Sequence, residues 1–511
     1  MEIYRSGRFV VALLSACCLL WPAQASTDLG RVKEHYRKGN YAEALRELRP
    51  LVDAGHPAAM NVMGVLLDNG HGVPKDLRSA ADYYRRSAEK GDPAGQYNWA
   101  TMLRHGAGVV QDERQAAEWF RKSANQGDAD AQRELGLMHA NGRGGLTKDQ
   151  IQGVTWLEKS ADRGDVEAQY AVGWFRAYGD SPVKNEAAAA KWFLRAAERG
   201  EAKAQREIGF ALFYGRGAKR DQQAAVLWLK KAAGQADTMA QVNLGKILRN
   251  GWGVERNDKE ANEWYRQAAN SGDAEAQTAL GVASFFGYGV HKDDTEAVRW
   301  YRLAAKQGSP VALSNLGSHY EYGTGGVLQD HIQAARLYEA AAVQGEPYGQ
   351  SNIARMYRDG RGVSSDAVLA HAWANLAASA TSPHPKAADE RDSMNQFLPR
   401  EVLAEAQRLA RNWKPGEPLG KSRLKPFGVA ELKVTSDILA LAKVLDAKLL
   451  EERAGQFPAR PDSKAGLVTC NTRCVNGDCF RTYGDGRQVR FQAKQVWNLL
   501  SNQFVREAGP C

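Results

Sequence analysis

The chain has 511 residues, 43% hydrophobic and 25% charged, an ordinary balance for a folded protein but too long for one common domain. Its formal charge is +9, and most of that sits in residues 414–511, where 16 Lys and Arg face 10 Asp and Glu. A mean hydropathy of −0.51 with one short apolar run excludes a polytopic membrane protein, and this composition also excludes disorder as the main state. Glycine is overused: there are 50, nearly a tenth of the chain against a usual ~7%, and no Gly-X-Y period makes them collagen.

Residues 1–25 read as an export signal. Arg5 and Arg8 give the positive start, Phe9 to Trp21 the apolar run, and Ala23-Gln24-Ala25 a small-residue cleavage site before Ser26. A second reading stands beside it: Leu14-Ser15-Ala16-Cys17 matches a lipobox, which would make Cys17 a lipidated N-terminus. Both readings take the mature chain out of the cytoplasm, periplasmic or secreted in one case and membrane-anchored in the other. Nucleic acid is a poor partner for an exported protein. A basic tail suits an anionic envelope surface or an acidic partner, or is simply a solvated face.

Next comes an internal repeat. Met60, Gln96, Gln132, Gln169, Gln205, Gln241, Gln277, Leu313 and Gln350 are spaced by 36 residues, and twice by 37 where Gly142-Arg143-Gly144-Gly145 and Gly323-Thr324-Gly325-Gly326 insert one residue. Each unit reads as two helices. Tiny residues sit inside the first: Gly64, Ala100, Gly136, Gly173, Gly209, Gly245, Gly281, Gly317 and Ala354. Glycine costs ~1 kcal/mol in a helix interior, so this row implies a close helix crossing with no room for a side chain. The second helix carries an aromatic row read as core: Tyr83, Trp119, Trp156, Trp192, Trp228, Trp264, Trp300 and Trp373, with Leu337 filling one place. Between the helices lies a G-x-G turn in eight of nine units; Gly179-Asp180-Ser181 departs. None of these pairs continues as a dinucleotide fingerprint.

These residues carry a family resemblance. Asn243-Leu244-Gly245, Gly251-Trp252-Gly253-Val254, Trp264-Tyr265 and Ala268-Ala269 follow a pattern that resembles the Sel1-like repeat, a relative of the tetratricopeptide repeat. The resemblance covers about residues 55–413, ending in a terminal helix from Leu398 to Trp413. Residues 26–54 resemble one tetratricopeptide-like hairpin at its start. It implies a right-handed, all-α solenoid of about nine helical pairs whose concave surface binds proteins or peptides. A cysteine-rich branch of the family, linked to β-lactam chemistry, is not matched, because residues 26–469 hold no cysteine. In related solenoids the first helices line the concave face. There this chain concentrates aromatics in its middle and later units, and Trp174, Tyr178, Phe210, Tyr214, Phe286 and Tyr322 are the candidate partner-binding residues. Packing between helices is the plainer use of such side chains. Trp252 and Tyr288, inside G-x-G turns, are expected to be exposed.

Residues 414–466 read as a linker rich in Pro and Gly, with an amphipathic helix built on Ile438, Leu441, Leu445 and Leu449. Residues 467–511 read as a small α+β module: a hairpin of 480–483 and 487–491 around Gly484-Asp485-Gly486, then a short helix near 494–504. Its cysteines, Cys470, Cys474, Cys479 and Cys511, have no zinc-like spacing and no nearby histidine, so two disulfides are expected outside the cytoplasm, in one of three pairings. No HExxH, GxSxG, Walker loop or Cys/His nucleophile pattern occurs, so no catalytic residue, metal ligand or cofactor is assigned. His105 and His139 are read as exposed polar positions. The expectation is a non-enzymatic scaffold, with envelope-polymer binding through the basic module as the alternative.

Overall fold

Side-chain caps set where the helices begin. The structure, a computed structural model, describes residues 23–424, with side chains from residue 28, and beyond them only the backbone of five strands. Before the repeats, α1 (Ala23–Arg37) and α2 (Tyr41–Asp53) pair through Leu29, Val32, Leu45 and Leu48. Nine further pairs follow: α3 (Pro57–Asn69) with α4 (Leu77–Glu89), α5 (Pro93–His105) with α6 (Glu113–Asn125), α7 (Ala129–Asn141) with α8 (Gln150–Asp162), α9 (Val166–Tyr178) with α10 (Glu186–Glu198), α11 (Ala202–Tyr214) with α12 (Gln222–Gly234), α13 (Thr238–Asn250) with α14 (Asp258–Asn270), α15 (Ala274–Phe286) with α16 (Asp294–Lys306), α17 (Pro310–Tyr322) with α18 (His331–Val343), and α19 (Pro347–Asp359) with α20 (Ala367–Ser379). Each of these helices has 13 residues, about 20 Å. Second helices start on an Asp or Asn whose carbonyl-type oxygen accepts from the first turn, as Asp221 does from Ala224 N at 2.9 Å and Asp330 from Gln333 N at 2.9 Å. First helices use the same device, as Asp237 does toward Ala240 N at 2.8 Å.

The small-residue row is a crossing, as its composition implies. A Cβ on Gly245 would lie 2.6 Å from Tyr265 Cε1, and one on Gly173 2.6 Å from Phe193 Cδ1. The side chain filling each crossing follows the expected aromatic row by one residue: Tyr84, Phe120, Leu157, Phe193, Leu229, Tyr265, Tyr301 and Tyr338 are all buried. The tryptophan row itself is therefore a correction. Trp300 and Trp373 are buried, but Trp119, Trp156, Trp192, Trp228 and Trp264 are only half-buried. A cation one helical turn on covers several open faces: Lys122 lies 3.6 Å from the Trp119 ring centre, Lys159 3.8 Å from Trp156, and Lys231 4.0 Å from Trp228.

The repeating glutamine joins units. Its amide donates to a carbonyl at the end of the preceding second helix, as Gln169 Nε2 does to Ala161 O at 3.0 Å and Gln241 Nε2 to Ala233 O at 3.0 Å. Those carbonyls also accept from the turn that follows, from Gly164 N and Ala236 N at 3.0 Å, so the amide adds a second donor at the helix end and ties the next unit to it. Between the helices of a pair, the second glycine of the turn packs against the preceding unit. At Gly217 a Cβ would run into the Glu186 carbonyl oxygen. The departing turn at Gly179 is extended instead of left-handed (φ −70°, ψ 173°).

After the repeats come α21 (Ala387–Asn395), which the sequence reading did not foresee, and α22 (Arg400–Asn412), close to the expected terminal helix. Residues 414–424, within the segment read as linker, run back along the helices: Gly416 N donates to Val343 O at 2.7 Å, and Arg423 N to Glu405 Oε1 at 2.6 Å. The amphipathic segment 436–449 and residues 1–22 lie outside the described residues.

The chain divides into one unit up to Val429 and a second from Ala430. In the second, β1 (Cys470–Val475), β2 (Asp478–Tyr483) and β3 (Gln488–Gln492) form an antiparallel sheet in that order, and β4 (Lys494–Asn498) pairs antiparallel with β5 (Gln503–Glu507). β2 and β3 pair where the hairpin was read, with Phe480 opposite Arg490. The helix expected near 494–504 is replaced by the second hairpin, with Val496 opposite Val505 and Trp497 opposite Phe504. Its β-branched and aromatic residues favour strands over helix.

Candidate functional site

Five residues beyond the crossing position, each first helix ends, and the residue there differs in kind along the chain. Asn69, Asn141 and Asn250 turn back on their own helices, donating to Val65 O at 2.9 Å, Leu137 O at 2.8 Å and Lys246 O at 2.8 Å. Such a bond folds the side chain back onto the last turn of its own helix. Tyr178, Tyr214, Phe286 and Tyr322 occupy the same place and give the helix nothing comparable. They are 53, 57, 57 and 47% exposed. Neighbouring rings hold several of these: Phe213 lies edge-on 5.0 Å from Tyr214, Phe285 edge-on 4.8 Å from Phe286, and Trp174 tilted at 5.9 Å from Tyr178. The other two candidates are wedged inward. Trp174 and Phe210 are half-buried and pack against the core between units. Trp252 and Tyr288 join the exposed set, and Tyr288 stacks on Phe286 at 5.3 Å and 19°.

Buried charges on the first helices tie successive units together. Arg206 bridges Glu207 at 2.9 Å and Asp237 at 2.6 Å, and Tyr178 Oη donates to Glu207 Oε2 at 2.7 Å. Burial, with Glu207 beside it, pushes the Tyr178 hydroxyl up, so it stays a donor. Arg104 pairs with Glu134 and Arg133 with Asp165. Arg355 reaches Glu321 with two nitrogens, at 2.6 and 2.7 Å, and Tyr338 Oη donates to the same carboxylate at 2.9 Å. Burial alone would raise Glu321, but the hydrogen bonds and charge of Arg355 outweigh it and hold the carboxyl below its usual range. These groups are absorbed by one another. They orient the helices without offering a free acid or base.

Two other arrangements invite a chemical reading. Ser351 Oγ donates to Glu390 Oε2 at 2.6 Å and lies 3.4 Å from His384 Nδ1. The serine is buried and its proton goes to the carboxylate, so this is not a nucleophile activated by histidine. A cleft of about 470 Å³ lies by His139, Lys148, Asp149 and Asp180, next to the departing turn. His139, expected at the surface, is buried there. Burial, with Arg121 nearby, lowers its pKa and keeps the ring neutral. Among the described residues no group of three His, Cys, Asp or Glu could hold a metal ion. No helix among them is long and apolar enough to cross a membrane. Cys474 and Cys479 are register partners in β1 and β2, and Cys511 lies outside the described residues.

The Sel1 repeat matches nine times in succession, over residues 57–92, 93–128, 129–165, 166–201, 202–237, 238–273, 274–309, 310–346 and 347–382. Among solved structures, the chain is similar to a protective antigen of uropathogenic Escherichia coli strains that displays an SLR fold. The two are 26% identical with a TM-score of 0.54, over 86% of this chain and 96% of that one. A Sel1 repeat protein from Oxalobacter formigenes is 28% identical over 48% of this chain and 97% of that one, with a TM-score of 0.43. No curated protein matches the chain in sequence.

Proposed function

Since the chain belongs to the Sel1 repeat family, whose solenoids present protein-interaction surfaces, we propose that it is a non-enzymatic extracytoplasmic scaffold binding a protein or peptide along the ends of its first helices. The observation that carries this reading is the set of half-exposed rings at Tyr178, Tyr214, Phe286 and Tyr322, where three other units place an asparagine that bonds its own helix. Large aromatics held by neighbouring rings lose little freedom on binding, which makes them good anchors. Trp174, Phe213 and Phe285 back Tyr178, Tyr214 and Phe286, while Phe210 packs against the core. The reading sets this row on the concave side of a right-handed coil, as in related solenoids.

The leader built on Arg5, Arg8 and Ala23-Gln24-Ala25 supports export, with Cys17 as the lipid-anchored variant of the same idea. The solved relative's description as a protective antigen also fits a place outside the cytoplasm. In that compartment Cys470, Cys474, Cys479 and Cys511 form two disulfides. A second reading rests on charge: the excess of Lys and Arg in residues 414–511 suits contact with an anionic envelope polymer.

The test uses the full-length chain in its native envelope. Tyr214→Ala with Phe286→Ala should abolish recovery of crosslinked partners while leaving the melting temperature within a few degrees. Undiminished recovery overturns the reading. Retention in the envelope that depends only on the tail's basic residues would favour the second.

A further inference from the structure

Arginines stand beside the aromatic ends of successive units. Arg216 stands 5.0 Å from the Tyr214 ring centre, and Arg249 and Arg256 approach Tyr288 at 5.2 and 5.8 Å. Tyr288 stacks in turn on Phe286, while Trp252 lies 6.3 Å from Phe213, the neighbour of Tyr214. The patch thus runs from the end of α11 through the turn after α13 to the end of α15. Tyr214, Trp252, Phe286 and Tyr288 are its exposed rings.

The acids nearby do not balance these cations. Asp258 takes Arg256 at 2.7 Å, and Glu275 takes Lys246 at 2.6 Å. Asp221 spends its carboxylate on the cap of α12, and Asp293 does the same for α16. Glu255 is an exposed acid in the turn beside Arg256. Arg216, Lys219, Arg220 and Arg249 make no ion pair among the described residues. A guanidinium lying on a ring keeps its N–H donors free at the edge of the plane, in the fork that matches a carboxylate.

We infer that this patch docks an acidic peptide segment in which carboxylates alternate with aromatic or aliphatic side chains. The carboxylates meet Arg216 and Arg249, and the flat groups lie on Tyr214, Trp252 and Phe286. This rests on the protein-binding reading above and names the partner's chemistry. Charge complementarity selects the occupant, and it rejects the chain's own C-terminal region, which is basic like the patch.

The probe is a fluorescein-labelled peptide of twelve residues built from Asp-Phe-Glu triplets, titrated with the full chain by fluorescence anisotropy. The control has Asn-Phe-Gln triplets. The acidic peptide should bind about tenfold tighter than its amide control and weaken on raising NaCl from 50 to 300 mM. Arg216→Glu with Arg249→Glu should remove about tenfold of that affinity, with the melting temperature checked so that loss of fold is not mistaken for loss of charge. Arg216→Lys with Arg249→Lys should retain part of it. Equal binding of the two peptides overturns the inference. So does indifference to the charge reversals, or displacement of the peptide by polygalacturonate at equal carboxylate concentration, which would point to an acidic polysaccharide. The two readings fail separately. Capture of the native partner that is lost with Tyr214→Ala and Phe286→Ala, but survives both charge reversals, leaves the scaffold reading standing and removes the acidic class. Capture indifferent to all four changes removes both.

Discussion

Gly281 has no space for even a methyl group, since a Cβ there would sit 2.5 Å from Tyr301 Cε1 on the facing helix. Alanine is the better helix former by ~1 kcal/mol, so propensity alone says that Gly281→Ala stabilises. The crossing says otherwise: overpacking a filled core costs about 1–3 kcal/mol, and Tyr301 is buried with nowhere to retreat. The expected outcome is a lower melting temperature, read by circular dichroism. An unchanged or raised value would show the crossing to be looser than this. Ala236 presents the opposite case. It occupies the turn before α13 with φ +64°, where the equivalent places hold glycine, for example Gly200 at +96° and Gly272 at +95°. A left-handed conformation costs a residue with a Cβ about 1–2 kcal/mol, partly offset by glycine's greater freedom in the unfolded chain. Ala236→Gly should therefore raise the melting temperature slightly, and a clear drop would contradict the strain assigned there. The glycine excess is thus a row of steric demands that a count alone cannot sort by cause.

At the scale of the helix, His319 shows how neighbouring units lock. It lies in α17, with Phe285 of α15 edge-on at 5.4 Å and Tyr301 of α16 at 5.9 Å, and its Nδ1 is 2.8 Å from Thr324 Oγ1. Burial lowers its pKa from 6.5, against the smaller opposing pull of Asp294 and Thr324. Unfolding restores the ordinary value, so the unfolded chain takes up the proton first. The stability that this neutral ring contributes is complete above about pH 6.5 and is lost as pH falls through the lower folded value. His371, buried and bonded to Asn395 at 2.8 Å, is shifted the same way. The melting temperature should fall from pH 7 to pH 5, and His319→Gln should flatten part of that slope. An identical slope in the variant would mean that other groups set it.

The helices themselves were legible because their pattern repeats. Period, small-residue crossing and turn all read directly from the spacing. The filling side chain did not, because Trp and the residue after it are both large and apolar; only the cation three residues on, as at Lys122 and Lys159, marks Trp119 and Trp156 as facing outward. The glutamine row gave the period but not its job, which is a bond across units. The exposed aromatics were legible from their contrast with Asn69 and Asn141, yet Trp174 and Phe210 share their composition and differ only in the helix face they occupy. The β4–β5 hairpin was missed because residues 494–504 mix strand formers with helix-tolerant Lys, Gln and Leu.

For the molecule as a whole, a solenoid of nine similar pairs sums local interfaces, and function enters where the repeats stop being alike. Of the nine first-helix ends, Asn250 and Asp359 are polar residues among the later units, and the other seven are Asn69, His105 and Asn141, then rings at Tyr178, Tyr214, Phe286 and Tyr322. Asn69 and Asn141 bond their own helices, and the proposed function assigns partner contact to the rings. The most direct measurement is a photo-crosslinking scan of the full chain in its native envelope, with a benzophenone amino acid placed in turn at each of these seven positions. The account predicts partner adducts at 178, 214, 286 and 322, and none at 69, 105 and 141. Adducts spread evenly over all seven positions, or absent from the four aromatic ones, would contradict it.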